Sequence, residues 1–307
     1  PRDRSSFRLM LRQSRWLLIW IIVVPATLVL LAPMMIAALV KWIMPIEGVR
    51  TACRRIVVWI AERWLDLLVG LLRRSLDTRV EVTGDLDADP SKSYVLLCNH
   101  QSWVDVPVLL HVFHGRLPFW RFFLKRGLIW LPLLGPAFWA LEYPFVRFPS
   151  RETLERYPER RGENLKTARQ ACDRLRGIPS TVVNFPEGAL FTPERHREQR
   201  AGFRNLLRPR AGGTALVLAA LGDQVDALID VTIRFPDGPP SLGQFLSNRV
   251  EHVEVYVRRV RVPPETIHGD YENDPEFRRR FQDWLNALWR EKDERYSRMR
   301  SSDEGLQ

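Results

Sequence analysis

Residues 16–40 read WLLIWIIVVPATLVLLAPMMIAALV, 25 positions without a charge, bracketed by Arg15 and Lys41. A helix needs about 20 apolar residues to cross a bilayer, and no polar face interrupts this stretch, so it predicts membrane embedding. Pro25 and Pro33 lie inside it. Arg2, Arg4, Arg8, Arg12 and Arg15 precede it, and Lys41, Arg50, Arg54 and Arg55 follow. With cations on both sides the positive-inside rule selects no orientation, so two readings stand: a spanning helix, or a helical hairpin that returns to the same side. A second apolar stretch, 56–72, carries Glu62, Arg63 and Asp66. It predicts an amphipathic helix, lying at the interface or packed on the body that follows.

Beyond residue 75 the pattern becomes that of an α/β domain. TRVEVT (78–83) alternates as a strand does, and GDLDADPSKS reads as a turn. YVLLC (94–98) is a short unbroken apolar run suited to a strand buried on both faces. Helices are predicted over 102–113, 162–175 and 211–221. Further strands are predicted over 180–185, 228–235 and 252–262, the last with a bulge where alternation slips at Arg258–Arg259. Asp274–Pro275 starts a final helix with Phe277, Phe281, Trp284, Leu285 and Leu288 on one face. After Trp289 the chain is highly charged and is expected to fray. The divisions are therefore an anchor (1–75), a catalytic body (76–290) and a charged tail (291–307).

Charge sharpens the first of these divisions. Lys and Arg total 46 against 36 Asp and Glu, a net of +10. Residues 1–74 hold 12 basic and 4 acidic side chains, a net of +8, which leaves +2 for everything else. The excess sits on the membrane segment, so an anionic bilayer surface is the expected partner and nucleic acid is not. Three scattered cysteines exclude a disulfide scaffold and offer no zinc spacing.

Several chemistries lack their motifs. No GxGxxG opens a helix, and neither GxxxxGK[ST] nor GxSxG occurs. What remains is Asn99-His100-Gln101-Ser102-Trp103-Val104-Asp105, at the end of the first buried strand. His100 and Asp105 meet if the chain turns there. The carboxylate then accepts the imidazole Nδ1–H and leaves Nε2 as a base, while a strand-to-helix junction offers free N–H groups for an oxyanion or phosphate. Two other readings use the same residues. Ser102-x-x-Asp105 fits a capping box, and His100 with Asp105, His111 and His114 could hold a metal.

NHQSWVD resembles the NHx4D signature of the glycerophospholipid acyltransferase family, which includes 1-acylglycerol-3-phosphate acyltransferases. Further blocks follow in that family's order: Phe145-Val146-Arg147, Phe185-Pro186-Glu187-Gly188, and Ile229-Asp230-Val231-Thr232, the last without its usual proline. The resemblance covers roughly residues 75–235. It implies a mixed central sheet flanked by helices behind an N-terminal membrane-embedded helical segment, with His100 and Asp105 catalytic and no metal or cofactor. It also implies Arg147 near an acceptor phosphate, with Glu187 and Gly188 shaping the acceptor site. One departure stands out. The third block usually continues EGTR, and here Leu190 replaces the arginine. Arg147, Arg204, Arg208 and Arg210 are the candidate substitutes, with Arg208 and Arg210 flanking Pro209 in LLRPRAGG.

The reaction so implied moves an acyl group from acyl-CoA or an acyl carrier protein to the hydroxyl of a lysophospholipid, 1-acylglycerol-3-phosphate first among acceptors. The missing arginine favours a remodelling enzyme with a phosphodiester acceptor as the alternative, and a non-catalytic membrane module is a more distant one. The aromatic stretch 119–145 either lines an acyl channel or is ordinary core. Because thioester donors are cytoplasmic, the chemistry places the site on the cytoplasmic face of a bacterial inner membrane.

Overall fold

The computed structural model describes residues 2–143, 145–146, 178–200, 202–267, 269–271 and 273–304, with isolated positions 156, 166, 169, 170 and 173. Helix α1 (Arg2–Ile43) passes through Pro25 and Pro33 without a break. A hairpin turning inside 16–40 therefore does not form. Each proline removes one backbone bond, and the helix continues on the bonds that remain. The turn comes at 44–46, and α2 (Glu47–Ser75) runs back along α1. The Trp64 indole N–H donates to Thr27 Oγ1 at 2.9 Å and pins the pair together.

The stretch Trp20–Ile43 is 24 residues long, about 36 Å of helix at 1.5 Å per residue against a hydrocarbon core of about 30 Å. Only 17% of its apolar window is buried, unlike a core helix. Its end is held by charge. Lys41 donates to the Ala140 carbonyl at 2.9 Å and pairs with Glu142 at 3.3 Å, and Arg54 of α2 reaches the same carboxylate at 3.1 Å.

The body follows as β1 (Arg79–Gly84), β2 (Ser93–Cys98), α3 (Asp105–Phe113), β3 (Trp120–Arg121), β4 (Leu124–Lys125), α4 (Leu134–Ala140), β5 (Phe145–Val146), β6 (Thr181–Asn184), α5 (Pro193–Gln199), α6 (Ala211–Leu221), β7 (Val225–Arg234), α7 (Leu242–Leu246), β8 (His252–Val260) and α8 (Pro275–Glu304). Six strands form one sheet in the order β1-β8-β7-β2-β6-β3, and β4 pairs with β5 apart from it. All neighbours are parallel except β7 and β8. The chain is thus an α/β protein with a mixed central sheet, as expected. Its hydrophobic run put β2 near the centre: Tyr94, Val95, Leu96, Leu97 and Cys98 are all 0% exposed. Alternate residues feed two cores. Tyr94, Leu96 and Cys98 face α2 and α3, and Val95 and Leu97 face α6 and α8. Burying each large aliphatic side chain contributes about 1.5–3 kcal/mol.

Three local expectations need correction. The helix predicted from residue 102 starts at Asp105, because 99–104 is committed to the turn described below. No bulge occurs at Arg258–Arg259. The β7–β8 register is continuous from Leu228↔Val260 to Arg234↔Glu254, and alternation fails there because the strand outruns its core. Nor does the chain fray after Trp289: α8 extends to Glu304, and Lys292 (1% exposed) and Asp293 (7%) are buried. Most of the helix expected at 162–175 lies outside the described residues.

Candidate active site

The site is built where β2 ends. Asn99 continues the strand by proxy: its amide donates to the Ile233 carbonyl and its Oδ1 accepts the Ile233 N–H, both at 2.9 Å. That pair ties β2 to β7 and aims the next residue out of the sheet. His100 Nδ1 lies 2.9 Å from Asp105 Oδ2. The same carboxylate oxygen accepts the N–H groups of Gln101 (2.7 Å) and Ser102 (3.0 Å), so Asp105 shapes the turn and orients the imidazole with one atom. Burial pushes the Asp105 carboxyl up, and the His100 and backbone donors pull it the other way. The imidazole stacks on Phe185 with centroids 4.2 Å apart. The His100 carbonyl accepts the Phe191 N–H at 2.8 Å. With Nδ1 so engaged, Nε2 is the face left for chemistry.

The rival readings resolve differently. Ser102 Oγ accepts the Val104 N–H and donates to the Pro240 carbonyl, so the Ser102–Asp105 pair is not a reciprocal capping box. His114 turns away and pairs with Asp66 of α2 at 2.6 Å, which removes it from any metal set with His100. Cys98, two residues before His100, is 0% exposed. Burial holds its thiol well up, where it is a poor nucleophile.

The other predicted residues separate into two groups. Phe185 to Gly188 form a turn closed by Gly188 N–H to the Phe185 carbonyl, with Gly188 at φ +67°, a conformation that favours glycine. The Arg210 N–H donates to the Pro186 carbonyl at 2.7 Å, and its side chain passes 3.5 Å from where a Cβ on Gly188 would sit. Arg210 therefore joins Gly188. Arg208 does not: it lines a separate pocket with Arg200 and Arg290. Arg147 lies outside the described residues.

Glu187 sits beneath the site, 0% exposed, and neither oxygen has a hydrogen-bond partner among the described residues. Burial pushes its carboxyl up to about 8. The His100 backbone N–H, the Trp289 indole and Lys292 oppose the shift, the first two from outside hydrogen-bond geometry. Between pH 4.5 and 8 the unfolded chain releases a proton that the folded one keeps, so Glu187 makes stability fall as pH rises through that window, levelling above it. Melting temperatures from about pH 5 to about pH 8.5 should show this fall, and Glu187→Gln should remove that component of the slope.

Sequence reasoning missed Lys292. From α8 it reaches Asp230 at 2.6 Å and donates to the carbonyls of Leu97 and Val231. Arg258 completes the network on Asp230 at 2.8 Å and on Glu291 at 2.7 Å. Lys292 thus bonds both strands, β2 and β7, beside the His100 turn. Its signal in the sequence is faint: a lysine among many charges in an apparent tail.

An apolar cavity of about 380 Å³ lies beside α3. Val23 and Leu30 of α1, Leu65 of α2 and Phe122 line it, and it reaches Val106 and Pro107, directly after Asp105. Much of the aromatic stretch 119–143 forms its wall.

The Acyltransferase family profile matches residues 79–226, which span β1 to the start of β7 and contain His100, Asp105, Glu187 and Arg210. The matched stretch takes in just under half of the chain. Outside it, the chain adds the α1–α2 pair before it and β8 and α8 after it. Lysocardiolipin acyltransferase 1 of Gallus gallus is 27% identical over 256 residues, covering 78% of this chain and 63% of that protein. The 1-acyl-sn-glycerol-3-phosphate acyltransferase epsilon of Mus musculus is 26% identical over 210 residues, 60% of this chain and 55% of that one. The chain thus spans less than two thirds of these relatives. A crystal structure of the 1-acyl-sn-glycerophosphate (LPA) acyltransferase from Thermotoga maritima aligns over 92% of this chain and 97% of its own, at 15% identity and a TM-score of 0.47.

Proposed function

We propose that this chain is a membrane-held O-acyltransferase that moves a fatty acyl group from an acyl thioester to the free hydroxyl of a lysophospholipid, with 1-acylglycerol-3-phosphate the acceptor and phosphatidic acid the product. The observation that carries the reading is the His100–Asp105 pair, 2.9 Å apart, with Asp105 fully buried inside the stretch that the family profile matches. His100 Nε2 takes the proton from the acceptor hydroxyl as its oxygen attacks the thioester carbonyl. The tetrahedral adduct then expels the thiolate, which leaves as a thiol with the proton returned by the imidazolium. Asp105 stabilises that imidazolium. Such general-base help contributes about 10²–10⁴-fold, and positioning supplies the rest. No covalent enzyme intermediate and no cofactor enter, and the thioester is the co-substrate.

Other features fit their roles in this reaction. Arg210, beside Gly188, has no carboxylate partner among the described residues and is placed to meet the acceptor phosphate. The cavity walled by α1 and α2 suits an acyl chain, since its lining is almost wholly apolar. The length and exposed apolar surface of α1 support a membrane location, and the thioester chemistry calls for a site that faces the compartment holding the thioester pool.

A second reading concerns the acceptor. Leu190 stands where the family's third-block arginine is expected, and a relative named lysocardiolipin acyltransferase 1 is 27% identical over 78% of this chain. Both favour a phosphodiester acceptor and a remodelling role. Thiol release from acyl-CoA by the detergent-solubilised protein, with lysophosphatidic acid and lysophosphatidylglycerol offered in parallel, tests both. Faster release with lysophosphatidic acid supports phosphatidate synthesis, and preference for the diester moves the assignment to remodelling. No release with either acceptor, from acyl-CoA or from an acyl carrier protein, overturns the enzymatic reading.

A further inference from the structure

Away from the His100 site, a pocket of about 390 Å³ opens between the 200–208 loop and α8, lined by Arg200, Gly202, Phe203, Arg208, Asn286 and Arg290. None of its three arginines forms an ion pair among the described residues. Three exposed arginines line this one pocket and no carboxylate does, a composition suited to a multiply charged phosphate ligand. The walls are fixed rather than loose. Asp293 of α8 accepts the N–H groups of Arg204 and Asn205 at 2.7 and 2.8 Å. Gln282 donates to the Pro209 carbonyl at 3.1 Å and to Asn286 Oδ1 at 2.9 Å. The Arg208 N–H donates to Gln199 Oε1 at 2.7 Å. A half-buried phenylalanine ring and an amide side chain complete the lining, the groups that accept a flat heterocycle by stacking and hydrogen bonding.

Position separates this pocket from the lipid side. Helix α8 packs on the sheet face carrying Val95 and Leu97, whereas α2 and α3 cover the opposite face, and the apolar cavity lies against α1, α2 and α3. A ligand here approaches from water. Arg208 is also two residues from Arg210, at most about 7 Å of extended chain, and Arg210 touches the Gly188 turn. A ligand held by Arg208 can therefore extend an arm toward His100.

We propose that this pocket binds the phosphorylated nucleotide end of an acyl thioester donor, with Arg200, Arg208 and Arg290 on its phosphates. This reassigns Arg208 from the acceptor to the donor. It rests on the acyl-transfer reading above and names the donor class within it.

The test uses the full chain in detergent micelles and the variant Arg200→Gln/Arg290→Gln. Adenosine 3′,5′-bisphosphate, which carries the phosphates and base but no acyl group, is titrated calorimetrically. Wild type should bind it, and the double variant should bind at least about tenfold more weakly. The same variant should raise KM for acyl-CoA by about tenfold or more, with KM for the acceptor and turnover of an acyl-pantetheine donor unchanged. Absence of binding in wild type, or equal binding in both proteins, overturns the proposal. So does displacement of the nucleotide by glycerol 3-phosphate, a rise in acceptor KM, or a defect confined to an acyl carrier protein donor. If no donor is turned over, the acyl-transfer reading fails, and the titration alone still decides whether the pocket takes a nucleotide.

Discussion

His100→Ala should lower thiol release by about 10²–10⁴-fold while leaving the fold in place. The side chain is partly exposed and its main packing contact is one face of Phe185, so truncation should cost about 1 kcal/mol of stability. Asp105→Asn is the companion. It keeps the volume and leaves the Gln101 and Ser102 N–H groups an acceptor, but removes the charge that stabilises the imidazolium and fixes its tautomer. Its expected loss is of the same order and falls on kcat rather than on acceptor KM. Steady-state thiol release with melting curves for both variants separates catalysis from folding. A variant that melts like wild type and retains full activity would show that His100 is not the base.

The largest stability effect is expected at Lys292. Lys292 is 1% exposed and bonds to Asp230 and to the carbonyls of Leu97 in β2 and Val231 in β7. Lys292→Met removes the cation and leaves one side of a buried carboxylate uncompensated. Losing one partner of such a pair costs about 3–5 kcal/mol, and the surviving Arg258–Asp230 contact at 2.8 Å places the expected loss near the lower end. Urea unfolding of the solubilised protein measures it. Ending the chain after Arg290 removes the same ammonium and should be at least as damaging. A loss in Lys292→Met of less than about 1 kcal/mol, the scale of an exposed ion pair, would mean that the network is solvated in solution.

Patterns that depend on neighbours along the chain are legible in the amino-acid order alone. The charge-free run specifies α1, the unbroken YVLLC specifies a strand buried on both faces, and the five-residue spacing specifies the His100–Asp105 pair. Each reflects a local rule: bilayer thickness, strand burial, or a tight turn after a strand. The uninterrupted passage of α1 through two prolines is not legible in this way, because it runs against proline's own local preference.

What only the tertiary structure decided involves residues far apart in sequence. Arg208 and Arg210, neighbours around one proline, part company, Arg208 lining the pocket beside α8 and Arg210 meeting the Gly188 turn, while 203–210 is pinned to α8 at both ends by Asp293 and Gln282. Glu187, which the family resemblance puts at the acceptor site, is fully buried, with Trp289 and Lys292 of α8 beside it. Residues 291–304 read as a frayed tail because charge predicts solvent exposure. They stay helical because the sheet offers Lys292 an aspartate and two carbonyls, and the 204–205 backbone offers Asp293 two N–H groups. The sequence determined the long apolar helix, the α/β class and the His100–Asp105 pair. Which arginines act together and which charges are buried depended on long-range pairing, and no local spacing encodes it.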